Sequence, residues 1–386
     1  MNSAGKIEEL VETARKLVPR LEERASATEK ARRIPDETLR DFVESGLLRA
    51  SQPQAYGGLG LPYTALLEVA MELASGCASA GWCYSIWAGH NFFAGMYPKP
   101  GQDEYWQGSA DVISVTSFNP VGATAVPEKD GYRVSGRWDF ASGSDHATWA
   151  LVAGIGPEGM MQFMIPVADF RVDDTWFVSG LRGSGSKDVV VEDAFVPAHR
   201  VVSMAEVTEG RTPGRDIHDD PGYRIPLMSI FPFTLLAPAI GAARGALRAF
   251  ESSTRAKVAS PRATPSQIAA LSERLGTSWA EVDAAQRTLR MRMHEAYARA
   301  ERLEVPDRAT RLACRRDHAF AAKLCRRSVD RLFEAAGGHA LFDGQPLQRF
   351  QRDVHAITNH IALVFDAPVT DFGRSQLGLD PDGDLF

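Results

Sequence analysis

Two histidines stand where they could move protons. His90 lies in Gly81-Trp82-Cys-Tyr-Ser-Ile-Trp87-Ala-Gly-His90-Asn-Phe-Phe93. A histidine among large aromatics is either a satisfied core residue or the polar group of a flat, ring-shaped pocket, and both readings stay open. His360 ends the run Gln348-Arg-Phe-Gln-Arg-Asp-Val-His-Ala-Ile-Thr-Asn-His360, and no glutamate follows Arg352-Asp353. An imidazole with a near-neutral pKa suits proton transfer between oxygens better than removal of a weakly acidic C–H proton. His355 points about 140° away from His360 on a continuous helix, so the two do not form a metal pair. In Trp138-Asp-Phe-Ala-Ser-Gly-Ser144, Phe140 offers a ring for stacking and Ser142 a hydroxyl. Core residue and turn residue are equally open readings of that pair.

The segment from Gly180 to Arg200 is the most informative in the chain. Gly180, Gly183 and Gly185, with Ser184 and Ser186, predict a flexible turn. Asp188-Val-Val-Val191 then reads as a short buried strand, closed by Phe195-Val-Pro197. No third glycine follows Gly185 at the interval of a dinucleotide fingerprint. Gly185-Ser-Lys187 runs into a strand, so it is no phosphate-binding P-loop.

The elements that must position these residues change period along the chain. Ile7, Leu10, Val11, Ala14, Leu17, Val18 and Leu21 follow helical spacing, and Pro35 opens a second helix in its first turn. Leu73 to Tyr97 carries no Asp, Glu, Lys or Arg, but its Ser, Gly, His and Asn content suits a buried helix pair lining a cavity better than a membrane span. Strands are predicted at Val112–Thr116, after the Asp130-Gly131 turn, at Trp149–Ala153, at Met161–Ile165 and at Asp188–Val191. Glu209–Gly222 is a connecting loop. Ser266–Glu301 and Arg308–Ala336 are long amphipathic helices of a bundle. The implied division is a helical domain over 1–111, a β domain over 112–212 and a helical bundle over 213–386.

With 386 residues the chain can build several subdomains, and a net charge of −6 argues against nucleic acid as a partner. Cys77, Cys83, Cys314 and Cys325 lack metal-ligand spacing. No metal site is expected, and an N-terminus without an apolar signal core points to the cytoplasm.

The string Gly180-Leu-Arg-Gly-Ser-Gly-Ser-Lys-Asp-Val-Val-Val-Glu-Asp-Ala-Phe-Val-Pro197 resembles the middle β domain of the acyl-CoA dehydrogenase fold. The order of helices, strands and helices extends that likeness over essentially the whole chain. The fold class it implies is α+β multidomain: an N-terminal helical domain, a middle β-barrel or sandwich, and a C-terminal four-helix bundle. The missing glutamate makes the chain similar to the oxygenase branch, the oxygenase components of two-component flavin-dependent monooxygenases. That likeness runs to hydroxylases of seco-steroid phenols, p-hydroxyphenylacetate and aromatic polyketides.

The resemblance implies reduced FMN or FAD, with FMN favoured, delivered by diffusion from a separate NAD(P)H:flavin reductase. It also implies O2 as co-substrate, a C4a-hydroperoxyflavin, a small aromatic substrate and a homotetramer, with no membrane. By the same likeness Phe140 and Ser142 lie against the flavin near N5, with Ser142 protecting the oxygen adduct. Phe118 and Asn119 serve the flavin pyrimidine, and Ser117 reaches a substrate hydroxyl. His90 contacts substrate within walls made by Trp82, Trp87 and Phe93. His360 is the base for a phenol, although relatives carry an aspartate four residues later, where this chain has Val364. Gly337 and Gly338 approach a neighbouring subunit's flavin, and Arg255, with Lys257 and Arg262, falls in the cofactor-phosphate region. Oxidation of a nitrogen or sulfur by the same fold is the alternative, and an FAD-dependent acyl-CoA dehydrogenase is a further one.

Overall fold

The structure is a computed structural model that describes residues 3–381. The helical spacing at the N-terminus yields α1 (Ser3–Ala31), with Leu10, Ala14, Leu17, Leu21 and Ala25 buried along one stripe. It runs on past Leu21, the last residue named for the helical spacing, to Ala31. Pro35 is the residue before α2 (Asp36–Glu44), whose first turn holds Asp36 and Glu37 against the positive end of the helix. The uncharged stretch holds only the last turn of α3 (Thr64–Gly76) and all of α4 (Ala78–Ala94), so it is one helix and not the expected pair, and α4 is buried along its entire length. A short α5 (Lys99–Tyr105) completes the first helical layer.

The middle of the chain is two four-stranded sheets packed face to face. One has the order β1 (Ser114–Ser117), β4 (Trp149–Gly156), β5 (Gly159–Pro166), β8 (Val201–Ser203). The other has the order β2 (Thr124–Glu128), β3 (Gly131–Ala141), β7 (Lys187–Pro197), β6 (Arg171–Asp173). Among the described residues, β1 and β4 pair in parallel and the other strand pairs are antiparallel. Val134, Trp138, Phe163, Val189 and Val191 fill the space between the sheets. The Asp130-Gly131 turn joins β2 to β3, with Asp130 in the left-handed region at φ 64°. The strand predicted at Asp188–Val191 extends to Pro197 and is the long partner of β3.

Short helices α6 (Met204–Glu209) and α7 (Gly214–Ile217) carry the chain to α8 (Phe231–Val258). Then follow α9 (Pro265–Glu301), α10 (Arg308–Ala336), α11 (Pro346–Thr358) and α12 (Asp366–Gln376). Leu227–Val258 is long and apolar enough to cross a membrane, but most of it is buried, as the central helix of a core is. Helices α3, α4, α8, α9 and α10 share one continuous hydrophobic core that also packs on the β layer.

Candidate active site

On α4 the helical period puts Trp82, Ile86, His90 and Phe93 on one face. His90 Nδ1 lies 2.6 Å from the carbonyl of Ser114 on β1. A carbonyl only accepts, so Nδ1 carries the proton. His90 Nε2 is buried and has no partner, and burial pushes the pKa of His90 down to about 4. The ring is therefore neutral and presents a bare lone pair. It lines a cavity with Tyr63, Phe93, Phe118, Phe231 and Thr234. The cavity volume of ≈ 10 Å³ suits about one water, so an aromatic substrate enters only if these side chains shift.

Phe231, at the start of α8, connects this cavity to His360. Ring centroids run from Phe93 to Phe118 (5.7 Å), to Phe231 (5.2 Å), to His360 (6.3 Å) and to Trp82 (6.3 Å). His360 is not on a helix. α11 ends at Thr358, and His360 caps the short turn Ile361–Leu363 by accepting the Ala362 N–H at Nδ1, 3.2 Å away. Its neutral ring must then carry the proton on Nε2, which makes it a donor and not a base in this arrangement. Burial lowers its pKa to about 4, so the near-neutral value expected from sequence is corrected. Among the described residues it has no carboxylate partner, which answers the doubt raised by Val364. His355, in the last turn of α11, instead pairs with Asp330 at 2.6 Å.

Trp82 also meets Ser142. The Trp82 indole N–H donates to Ser142 Oγ (2.9 Å), which contacts Ser186 Oγ (2.8 Å), which contacts Ser184 Oγ (2.7 Å). Ser184 Oγ donates to the Leu181 carbonyl at 2.8 Å. The Gly180–Ser186 segment is thus no flexible turn. Its Gly183, Ser184 and Ser186 are buried, and Asp353 on α11 accepts the Leu181 N–H at 2.7 Å. The two motifs picked out in the sequence, Gly180–Ser186 and Arg352-Asp353, dock on each other. Phe140 lies outside this chain of hydroxyls. It is 64% exposed, edge-on to Trp176 at 6.0 Å, and held at φ 59° by an irregularity at the end of β3. A non-glycine residue in that conformation stores strain of order 1–2 kcal/mol, which persists only where the surroundings impose it.

Not every expected residue comes to this place. Trp87 is turned away from the cavity, against Gly143 and the His146 ring, because it lies one residue off the face that carries Ile86 and His90. Ile86 forms the wall assigned to Trp87. Ser117 Oγ accepts the Asn119 N–H at 3.4 Å, and Asn119 Oδ1 accepts from Val121, so both brace the loop after β1. Arg255 is paired along α8 with Glu251, and Lys257 caps the end of α10 through the Ala336 carbonyl. Lys257 and Arg262 line a separate open cleft. Gly337 and Gly338 have open space around them beside the exposed Leu341 and Phe342. Tyr63, Thr234 and Phe231 escaped the sequence reading, since each looks like ordinary core at helical spacing. Ser184 and Ser186 were in view only as turn formers.

Both histidines should stay neutral through the usual assay range. Their pKa values are depressed from an ordinary 6.5, so the protonated form is populated only as pH falls towards about 4. Imidazole ¹⁵N shifts of His90 and His360 should therefore hold neutral values down to pH 5, with the proton on Nδ1 in His90 and on Nε2 in His360. A ring titrating with a midpoint near 6.5 would contradict the assignment for that residue.

The N-terminal domain of acyl-CoA dehydrogenases matches residues 6–105, and their C-terminal domain matches residues 233–365. The oxygenase subunit HsaA of a flavin-dependent monooxygenase from Rhodococcus jostii is 37% identical over 94% of this chain and 97% of its own. The oxygenase component of an FADH2-dependent resorcinol hydroxylase from Rhizobium is 34% identical, covering 93% of this chain and 91% of its own. The crystal structure of 3-HSA hydroxylase from Rhodococcus sp. RHA1 superposes with a TM-score of 0.93, at 35% identity and 98% coverage of both chains.

Proposed function

The chain belongs to the flavin-dependent monooxygenase oxygenase subunits built on acyl-CoA dehydrogenase domains, and from that premise we propose that it hydroxylates a phenol. The reaction takes two electrons from reduced flavin. It places one atom of O2 on the ring and releases the other as water. The observation that carries the phenol reading is the bare, buried Nε2 lone pair of His90 in an aromatic-lined cavity. A phenolic O–H is the group that satisfies it while the ring packs against Phe93, Phe118 and Phe231.

The residues present fit a flavin. An exposed aromatic face at Phe140 lies two residues from a hydroxyl, Ser142, that keeps one lone pair uncommitted beside Trp82. Phe140 and Ser142 would hold the ring, with Phe118 and Asn119 at its pyrimidine edge. Bound reduced flavin (FMN or FAD) supplies the activation of O2. His90 accepts a hydrogen bond from the substrate hydroxyl at Nε2 without taking the proton, which orients the ring and raises electron density on the carbon ortho to the hydroxyl. His360 donates from Nε2 to oxygen. Trp82, Phe231 and Phe118 exclude water from the space between.

A dehydrogenase reading lacks its base. Among the described residues no carboxylate lines the aromatic cavity, and Asp353 accepts the Leu181 N–H. For assembly and setting, the exposed Leu341 and Phe342 beside Gly337 and Gly338 support a homotetramer. Four free cysteines suit a reducing cytoplasm, and a separate NAD(P)H:flavin reductase supplies the electrons.

The test is reconstitution with a generic flavin reductase, NADH, ¹⁸O2 and a panel of phenols. One ¹⁸O atom in an ortho-hydroxylated product is expected, from protein that purifies without retained oxidised flavin. Oxygen transfer only to thioethers or amines would replace the phenol reading. Tightly held FAD bleached by an acyl-CoA would restore the dehydrogenase.

A further inference from the structure

We propose that Ser186 is a positioning residue that fixes the Ser142 hydroxyl as a hydrogen-bond acceptor, making the site prefer reduced over oxidised flavin. The proposal rests on the placement of the flavin beside Ser142 and goes one step deeper, to the direction of the hydrogen bonds.

Three oxygen–oxygen contacts link Ser142 to Ser186 (2.8 Å), Ser186 to Ser184 (2.7 Å) and Ser184 to the Leu181 carbonyl (2.8 Å). Three hydroxyl hydrogens are available to fill them. The last oxygen is a carbonyl and cannot donate, so Ser184 must. Ser186 then donates to Ser184, and Ser142 donates to Ser186. With the chain reversed, two lone-pair oxygens would face each other at 2.8 Å between Ser184 and Leu181 with no hydrogen between them. The hydroxyls are buried, at 6% exposure for Ser142, 4% for Ser186 and 0% for Ser184, so water does not rescue the reversed arrangement. The Trp82 indole N–H takes one lone pair of Ser142. One lone pair remains, and no hydrogen.

Position 5 of a reduced flavin carries an N–H, whereas in the oxidised ring the same nitrogen is an acceptor. A Ser142 that can only accept pairs with the first and opposes the second. Its acceptor character is set from behind, by a backbone carbonyl in the segment that Asp353 clamps. Nothing in Ser142 itself imposes it.

Quenching of tryptophan fluorescence in anaerobic titrations gives dissociation constants for reduced and oxidised flavin, and their ratio is the readout. Ser186→Ala removes the acceptor for the Ser142 hydrogen and frees that hydroxyl to donate. The preference for reduced flavin should fall about tenfold, mainly through tighter binding of the oxidised form. Ser184→Ala, which lets the chain reverse, should give the same fall, and Ser186→Thr should restore the wild-type ratio. Ser142→Ala should lose the preference too, with no further loss in the double variant with Ser186→Ala. A merely structural role for Ser186 would weaken both redox forms alike, and an unchanged ratio in Ser186→Ala overturns the proposal. If Ser142→Ala still shifts the ratio in that case, the flavin placement stands. If Ser142→Ala leaves it unchanged as well, the placement of flavin at Ser142 falls with it.

Discussion

His360→Ala is expected to slow hydroxylation about 10²–10³-fold, the loss that follows removal of one preorganised donor from a water-poor site. Hydrogen peroxide should replace product as the fate of the consumed oxygen. His360→Gln separates the two roles open to this residue. Glutamine presents an N–H at nearly the reach of Nε2 but accepts no proton, so a donor role predicts a rate within about tenfold of wild type. A base role predicts that Gln is as damaging as Ala. The geometry favours the donor, because the Ala362 N–H occupies Nδ1 and places the proton of the neutral ring on Nε2. The depressed pKa points the same way, since a conjugate acid near 4 is a poor acceptor for a phenolic proton. The measurement is product formed per flavin oxidised, with peroxide assayed in parallel. Equal losses in Ala and Gln would return His360 to the role of base and leave His90 as a mere wall.

Much of the layout was legible because hydrophobic period and turn chemistry are local. The uncharged stretch over Leu73–Tyr97 became the end of α3 and the whole of the buried α4, one helix where a pair was expected, while the Asp130-Gly131 turn became a hairpin and the long amphipathic runs became α9 and α10. His90 and Phe93 share a cavity because their spacing on α4 puts them on one face, a fact the sequence contains. Trp87 was misplaced by the same arithmetic, one residue off that face. What sequence could not carry was contact between distant segments. The helix from Pro346 stops at Thr358, so angles counted along a helix from His355 to His360 had no meaning. Nothing local distinguishes Phe231 or Tyr63 from other core aromatics. The serines after Gly183 read as turn formers because composition says nothing about burial. Only the docking of α11 onto them makes their hydroxyls a directed chain.

That docking gives the largest expected effect on stability, at Gly180. A Cβ there would sit 2.1 Å from the Arg352 carbonyl oxygen and 3.0 Å from Ala356 Cβ, both on α11. Backbone cannot yield as a side-chain tip does, so Gly180→Ala must push the segment and α11 apart. Overpacking of this kind costs about 1–3 kcal/mol. Separation also breaks the bond from the Leu181 N–H to Asp353, and a buried donor left without its acceptor costs about 1–3 kcal/mol more. A combined loss of roughly 2–6 kcal/mol should lower the melting temperature by roughly 3–7 °C. The functional loss should be larger than the stability loss suggests, because α11 leads directly to His360 while the Gly180 segment holds the hydroxyls behind Ser142. Moving one from the other separates the donor from the flavin site, so peroxide leakage should rise at temperatures where the variant is still folded. Gly276→Ala is the control. It lies exposed within α9, a Cβ there meets nothing within 4 Å, and alanine is the better helix former, so its melting temperature should hold or rise slightly. If Gly180→Ala melts and couples like Gly276→Ala, the contact between the two motifs is not what holds the site together.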